Sequence, residues 1–158
     1  MIELIESDSA QGTDVFRQML LEYASKDLDN APQSSIWKDL DQLPGRYAAP
    51  SGSIVLARAD AQWVACGALA PTAHAGVAEI KRIYVRDAWR RQGLARQITQ
   101  RLIEIAAQRG YAQAALSTWA HDQGALTLYH QMGFVPVPPF KEHPSPLVFL
   151  GFDCAHRA

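Results

Sequence analysis

The chain has 158 residues, enough for one compact domain that buries roughly two thirds of the surface its unfolded chain exposes and too few for two well-supplied cores. With 48% hydrophobic and 20% charged residues the composition is globular, and a formal net charge of -1 provides no general attraction to nucleic acid or to an anionic membrane. Cys66 and Cys154 stand far apart without further ligands nearby, and neither a basic leader nor an apolar run of about 18 residues is present, so the expectation is a soluble, cytoplasmic chain with reduced cysteines.

Met1 to Glu6 alternates well enough for an opening strand, after which Val15, Phe16, Met19, Leu20 and Tyr23 recur at helical spacing. The polar stretch at 27–32 breaks that pattern. Ser34 or Ser35 can cap a second, short helix bearing Ile36, Trp37, Leu40 and Leu43, which Pro44-Gly45 stops. Residues 53–59 and 62–70 read as strands joined across Asp60-Ala61 as an antiparallel hairpin. The next strand, 77–85, carries the charged run Glu79-Ile80-Lys81-Arg82, and charges inside a strand point to a solvated face or to a site. In a regular strand Glu79, Lys81, Ile83 and Val85 share one face and Arg82 and Tyr84 the other, unless a bulge intervenes.

From Gly93 the period changes, with Leu94, Ile98, Leu102, Ile105 and Ala106 on one helical face and Gly110 placed for the left-handed residue beyond the last turn. A buried strand over 112–117 follows, then a helix capped by Asp122 that carries Ala125, Leu128, Tyr129 and Met132 and ends at Gly133. Strands from Phe134 and over 147–152 close the chain, and the prolines at 139–146 mark a loop. The order gives one α/β domain over 1–158, a mixed central sheet flanked by helices, parallel only where the strand-helix-strand crossover requires it.

Its chemistry is most legible where the strand ending at Val85 leads into Arg90-Arg91-Gln92-Gly93-Leu94-Ala95 and then a strong helix. Gly93 permits close backbone approach, and the first helical amides lack intrahelical acceptors, so a pyrophosphate satisfies several donors at once. Arg90, Arg91 and Arg96 add positive charge, where a purely structural helix start is better served by acids. The plain alternative is a loosened loop with solvated arginines.

Arg90-Arg91-Gln92-Gly93-Leu94-Ala95 resembles the pyrophosphate motif of the GCN5-related N-acetyltransferase (GNAT) superfamily, and 125–134, with Tyr129 followed by Gly133-Phe134, is similar to its second characteristic helix. Residues 22–24, 43–48 and 79–85 look like a bacterial subgroup of such enzymes. The resemblance implies acetyl-coenzyme A as cosubstrate. Its pantetheine arm would pair with the backbone around Ile83, Tyr84 and Val85, and its pyrophosphate with amides of Arg91, Gln92, Gly93, Leu94, Ala95 and Arg96. Strands splayed after Val85 and Ala112 would admit the thioester. The chain departs from the family pattern at Asp87, where proline is common, at Arg91, where glycine is common, and at Asp122, where many relatives carry asparagine; Trp119 and Ala120 imply an altered rim.

Transfer from a thioester to an amine needs a neutral nucleophile, oxyanion stabilisation and a proton for the departing thiolate. Tyr129, one helical turn beyond Ala125 on the same face, is the proton donor, against the alternative of a core tyrosine. Glu79 is the leading base, against a structural ion pair with a nearby cation. His121, His130 and His143 form no metal-ligand set or triad, and no metal is expected. Trp37 and Tyr47 either line an acceptor pocket or pack. The expected activity is direct ternary-complex acetylation of a primary amine, small or on a protein. A noncatalytic acyl-coenzyme A binding or regulatory domain is the alternative, transfer RNA is disfavoured by the charge, and a homodimer is left open.

Overall fold

The computed structural model describes residues 1–26, 34–142 and 146–156. The polar break at 27–32, His143 and part of the proline-rich loop fall outside them. In chain order the elements are β1 (Ile2–Ser7), α1 (Ala10–Lys26), α2 (Ile36–Gln42), β2 (Ser53–Ala59), β3 (Gln62–Pro71), β4 (Val77–Val85), α3 (Leu94–Gln108), β5 (Gln113–Trp119), α4 (Gln123–Gln131), β6 (Val135–Pro136) and β7 (Leu147–Asp153). The seven strands form one sheet in the order β1-β2-β3-β4-β5-β7-β6. Every neighbouring pair is antiparallel except β4 and β5, which the α3 crossover makes parallel. No helix among the described residues is long and apolar enough to cross a membrane.

Alternation along the strands sorts the apolar side chains into two cores. On one face Val55, Ala57, Leu69, Ile80 and Leu116 meet Leu94, Ile98, Leu102, Ile105 and Ala106 of α3. On the other, Leu56, Cys66, Ala68, Ala70 and Tyr84 meet Phe16, Met19 and Leu20 of α1, Ile36 of α2 and Tyr47. The α3 stripe approaches so closely that a Cβ on Gly67 would stand 2.5 Å from Ile98 Cγ2. Helices α3 and α4 end in the same way. Gly110 (φ 87°) and Gly133 (φ 100°) take the left-handed conformation, and the next residues, Tyr111 and Phe134, donate back to the Ala106 and Tyr129 carbonyls at 3.0 Å, closing Schellman motifs.

Three expectations are corrected. Pairing between β4 and β5 covers only Val77, Ala78 and Glu79 against Gln113, Ala114 and Ala115, so the strands part after Glu79 and Ala115, well before Val85 and beyond Ala112. The strand from Phe134 is only Val135–Pro136, because Pro138 and Pro139 follow at once. And β4 is not regular: Cys66 faces Tyr84 while Ala68 faces Lys81, which leaves one extra residue on β4, and Arg82 there has φ 62°. The bulge inverts the alternation. Ile83 and Val85 join the α3 face with Ile80, whereas Tyr84 joins Glu79 and Lys81 on the α1/α2 face, opposite Cys66, Ala70 and Ala68.

Candidate active site

Gly93 is the N-cap of α3 with φ 80°, and its carbonyl accepts the first helical bond, from the Gln97 amide at 3.0 Å. No side chain caps this end and no acid stands in its first turn, so the amides of Leu94, Ala95 and Arg96 lack intrahelical acceptors at the positive end of the helix dipole. A Cβ on Gly93 would meet only Gln97 Nε2, at 4.0 Å, so the approach is open. Arg91 has φ 63°, a conformation that glycine adopts without cost. Arg90 folds back: its Nε donates to the Val85 carbonyl at 2.8 Å, its Nη1 lies 3.2 Å from Asp87, and its guanidinium sits 5.8 Å from the Tyr84 ring centre.

These residues line a cleft of about 830 Å³. Ile83, Tyr84, Val85, Arg90, Arg91, Gly93, Leu94, Ala95, Arg96, Ala125 and Tyr129, all singled out from the sequence, stand on its wall, and Gln92 is exposed beside it. Ile83 and Val85 belong to the α3 face, Tyr84 and Tyr23 to the other, so the cleft is lined from both sides of the sheet where β4 and β5 part. Tyr23 and Trp89 were missed; only their aromatic character marked them. Trp119 and His121 stack at the rim, centroids 5.8 Å apart. Asp122 caps α4 by accepting from the Ala125 amide at 3.0 Å, so that amide is already engaged within the protein.

Tyr129 is held by the Schellman turn that follows it, its ring meeting Phe134 edge-on at 5.5 Å. Burial pushes its hydroxyl up to about 12, against a hydrogen bond with Thr99 that acts in the other direction, so it keeps its proton across the physiological range.

Glu79 lies elsewhere, 3% exposed on the α1/α2 face, with Lys141 Nζ 2.6 Å from Oε2. The cation of the structural alternative is therefore Lys141, from the loop before β7. Beside it Asp39 of α2 accepts from Arg82 Nε at 2.9 Å and from the Tyr47 hydroxyl, with Arg46 Nε at 3.5 Å. Burial favours the neutral acid, but Arg82, the Tyr47 hydroxyl and Arg46 together hold Asp39 below its ordinary value. Tyr47 is 2% exposed and edge-on to Phe16, so it packs, while Trp37 is exposed on α2. None of this network was read from the sequence beyond the charged run in β4, because Asp39, Arg46 and Arg82 meet only through tertiary contact. His121 and His130 are exposed, and among the described residues no three His, Cys, Asp or Glu side chains are grouped to hold a metal.

The profile of the acetyltransferase (GNAT) family matches residues 16–134. An uncharacterized N-acetyltransferase of Schizosaccharomyces pombe is 27% identical over 139 residues, covering 87% of this chain and 85% of the relative. An IAA acetyltransferase of Azospirillum brasilense is 30% identical over 101 residues, 63% of this chain and 66% of the relative. The solved ribosomal-protein-S18-alanine N-acetyltransferase of Escherichia coli superposes with a TM-score of 0.72 at 18% identity, covering 98% of this chain and 94% of that one, a likeness of fold. The matched span runs from Phe16, the first buried apolar side chain of α1, to the Phe134 that closes the turn behind Tyr129, and takes in the parted strands and the uncapped start of α3. By fold, by site and by this match, the chain belongs to the GNAT family of acetyltransferases.

Proposed function

We propose that residues 1–158 act as one acetyl-coenzyme A dependent domain that acetylates a primary amine by direct attack in a ternary complex. The observation that carries this reading is the meeting, in one cleft, of an uncapped helix start, a strand edge without a partner and the Tyr129 ring.

The residues present fit acetyl-coenzyme A. A pyrophosphate takes the amides of 91–96, with the Arg91 and Arg96 side chains exposed alongside, so no metal is required to hold it. Pantetheine is a chain of amides, and the edge of β4 from Ile83 to Val85, which lacks β5 as a neighbour, accepts such a chain as an added strand. When bound, this cosubstrate supplies an acetyl group on a thioester, whose sulfur leaves readily. Tyr129 holds a proton on its hydroxyl for that sulfur. Glu79, through the oxygen that Lys141 does not engage, receives the proton of the acceptor amine directly or through water. A covalent acyl-enzyme is disfavoured at Cys66, which is fully buried and pushed up to about 12 by burial. Both cysteines are free and buried, which fits a reducing cytoplasm.

The test is coenzyme A release from acetyl-coenzyme A with a panel of amines, run beside calorimetric binding. Amine-dependent release is expected. Tight binding with no release for any amine favours the noncatalytic alternative.

A further inference from the structure

Resting on that reading, we infer that the amine acceptor also carries a carboxylate, as an amino acid does, and that Lys81 and Arg46 hold this carboxylate on the α1/α2 face of β4.

The bulge at Arg82 sets the stage. Glu79 and Lys81 lie opposite Ala70 and Ala68, on the face that carries the α1/α2 core, and Lys81 is two residues beyond the last β4–β5 pair. Four cations gather there: Arg46, Lys81, Arg82 and Lys141. Two carboxylates answer them. Asp39 is engaged by Arg82 at 2.9 Å and Arg46 at 3.5 Å, and Glu79 by Lys141 at 2.6 Å. No ion pair joins Lys81 to any carboxylate among the described residues, although it is half-buried. A half-buried ammonium that no carboxylate contacts directly is unfavourable, and an anionic ligand offsets that cost.

The surroundings of Lys81 show the same imbalance. Burial lowers its pKa first, then Arg82, with Lys141 and Arg46 adding to the effect and only Glu79 opposing, to about 7. Asp39 and the Tyr47 hydroxyl also belong to this cluster and are turned to Arg82 and Arg46, while Glu22 of α1 is engaged by Arg86 and the Cys66 thiol is fully buried. The cluster opens to solvent through Arg46, whose side chain is 38% exposed, and Lys141, at 28%. With four cations against two carboxylates, the cluster keeps an excess of positive charge, which a carboxylate on the ligand reduces. Residues two apart on a strand are about 7 Å apart. Glu79 and Lys81 thus present a proton acceptor and a cation side by side, a spacing suited to the amine and carboxylate of one small molecule.

The test uses the full chain saturated with coenzyme A and titrated calorimetrically with the N-acetyl derivatives of the common amino acids, each as free carboxylate and as carboxamide. These probes carry no amine, so its ionisation does not enter. At least one carboxylate is expected to bind about 10-fold or more tightly than its carboxamide near pH 6, where Lys81 is charged. That advantage is full below the free Lys81 value of about 7 and falls as pH rises through it, until Lys81 in the complex also loses its proton. Lys81→Met should shrink it to less than about 2-fold, while Lys81→Arg, which does not titrate, should keep it with little change up to about pH 9. Equal binding of acids and amides, no binding of either, or a preference that survives Lys81→Met overturns the inference. Carboxylate binding without acetylation of the matching amino acids leaves the site standing and removes the enzymatic reading instead.

Discussion

Tyr129 combines two properties at one residue: a fixed position and a proton it does not readily lose. The Schellman turn through Gly133 and the edge contact with Phe134 fix the ring, and burial keeps the hydroxyl protonated up to about 12. A donor so far above neutral pH is a weak acid, and general acid catalysis contributes about 100- to 10,000-fold in favourable cases, so Tyr129→Phe is expected to slow single-turnover transfer by about 100-fold or less. Acetyl-coenzyme A affinity should change little, since the ring remains. The rate should also show no descending limb from Tyr129 as pH rises from 6 to about 9, because the folded-state value lies above that window. Unchanged single-turnover transfer at every pH would assign Tyr129 a packing role only.

At the scale of elements, the start of α3 does the most with the least sequence. Gly93 has φ 80° and open space where a Cβ would stand, so a side chain there is opposed by the backbone rather than by its neighbours. A non-glycine residue in the left-handed region costs about 1–2 kcal/mol, with β-branched residues the least tolerant. Gly93→Val should therefore fold, by circular dichroism, with a modest loss of stability, yet weaken acetyl-coenzyme A binding by about 10-fold or more by calorimetry, because the amides of 94–96 no longer converge on one anion. Undiminished affinity in the folded variant would place the pyrophosphate elsewhere. This element was legible because its signals are local: a glycine, a change of period, and arginines where acids belong. The β4 bulge was not. A run such as Glu79-Ile80-Lys81-Arg82-Ile83 carries no mark of which residue is extra, and only the register against Cys66 and Ala68 reveals that Arg82 is. The faces assigned to Ile83, Tyr84 and Val85 inverted as a result.

For the molecule as a whole, a sheet with a core on each face opens between β4 and β5, and that opening joins the two sides. Element order and the single parallel pair followed from hydrophobic periods and the crossover, which are properties of short windows of sequence. The point of opening and the charge cluster of Asp39, Arg46, Lys81, Arg82, Glu79 and Lys141 did not, since they join residues up to 102 positions apart and depend on how α2 and the loop before β7 fold over the sheet. In the proposed arrangement, the cosubstrate lies on the α3 side and reaches through the opening toward an acceptor on the α1/α2 side. A crystal structure with coenzyme A bound measures this directly. The phosphates are expected within hydrogen-bond distance of the amides of 91–96, the pantetheine alongside Ile83 to Val85, and the sulfur near the Tyr129 hydroxyl. Phosphates bound away from the start of α3, or a sulfur remote from both Tyr129 and the opening, would contradict the account.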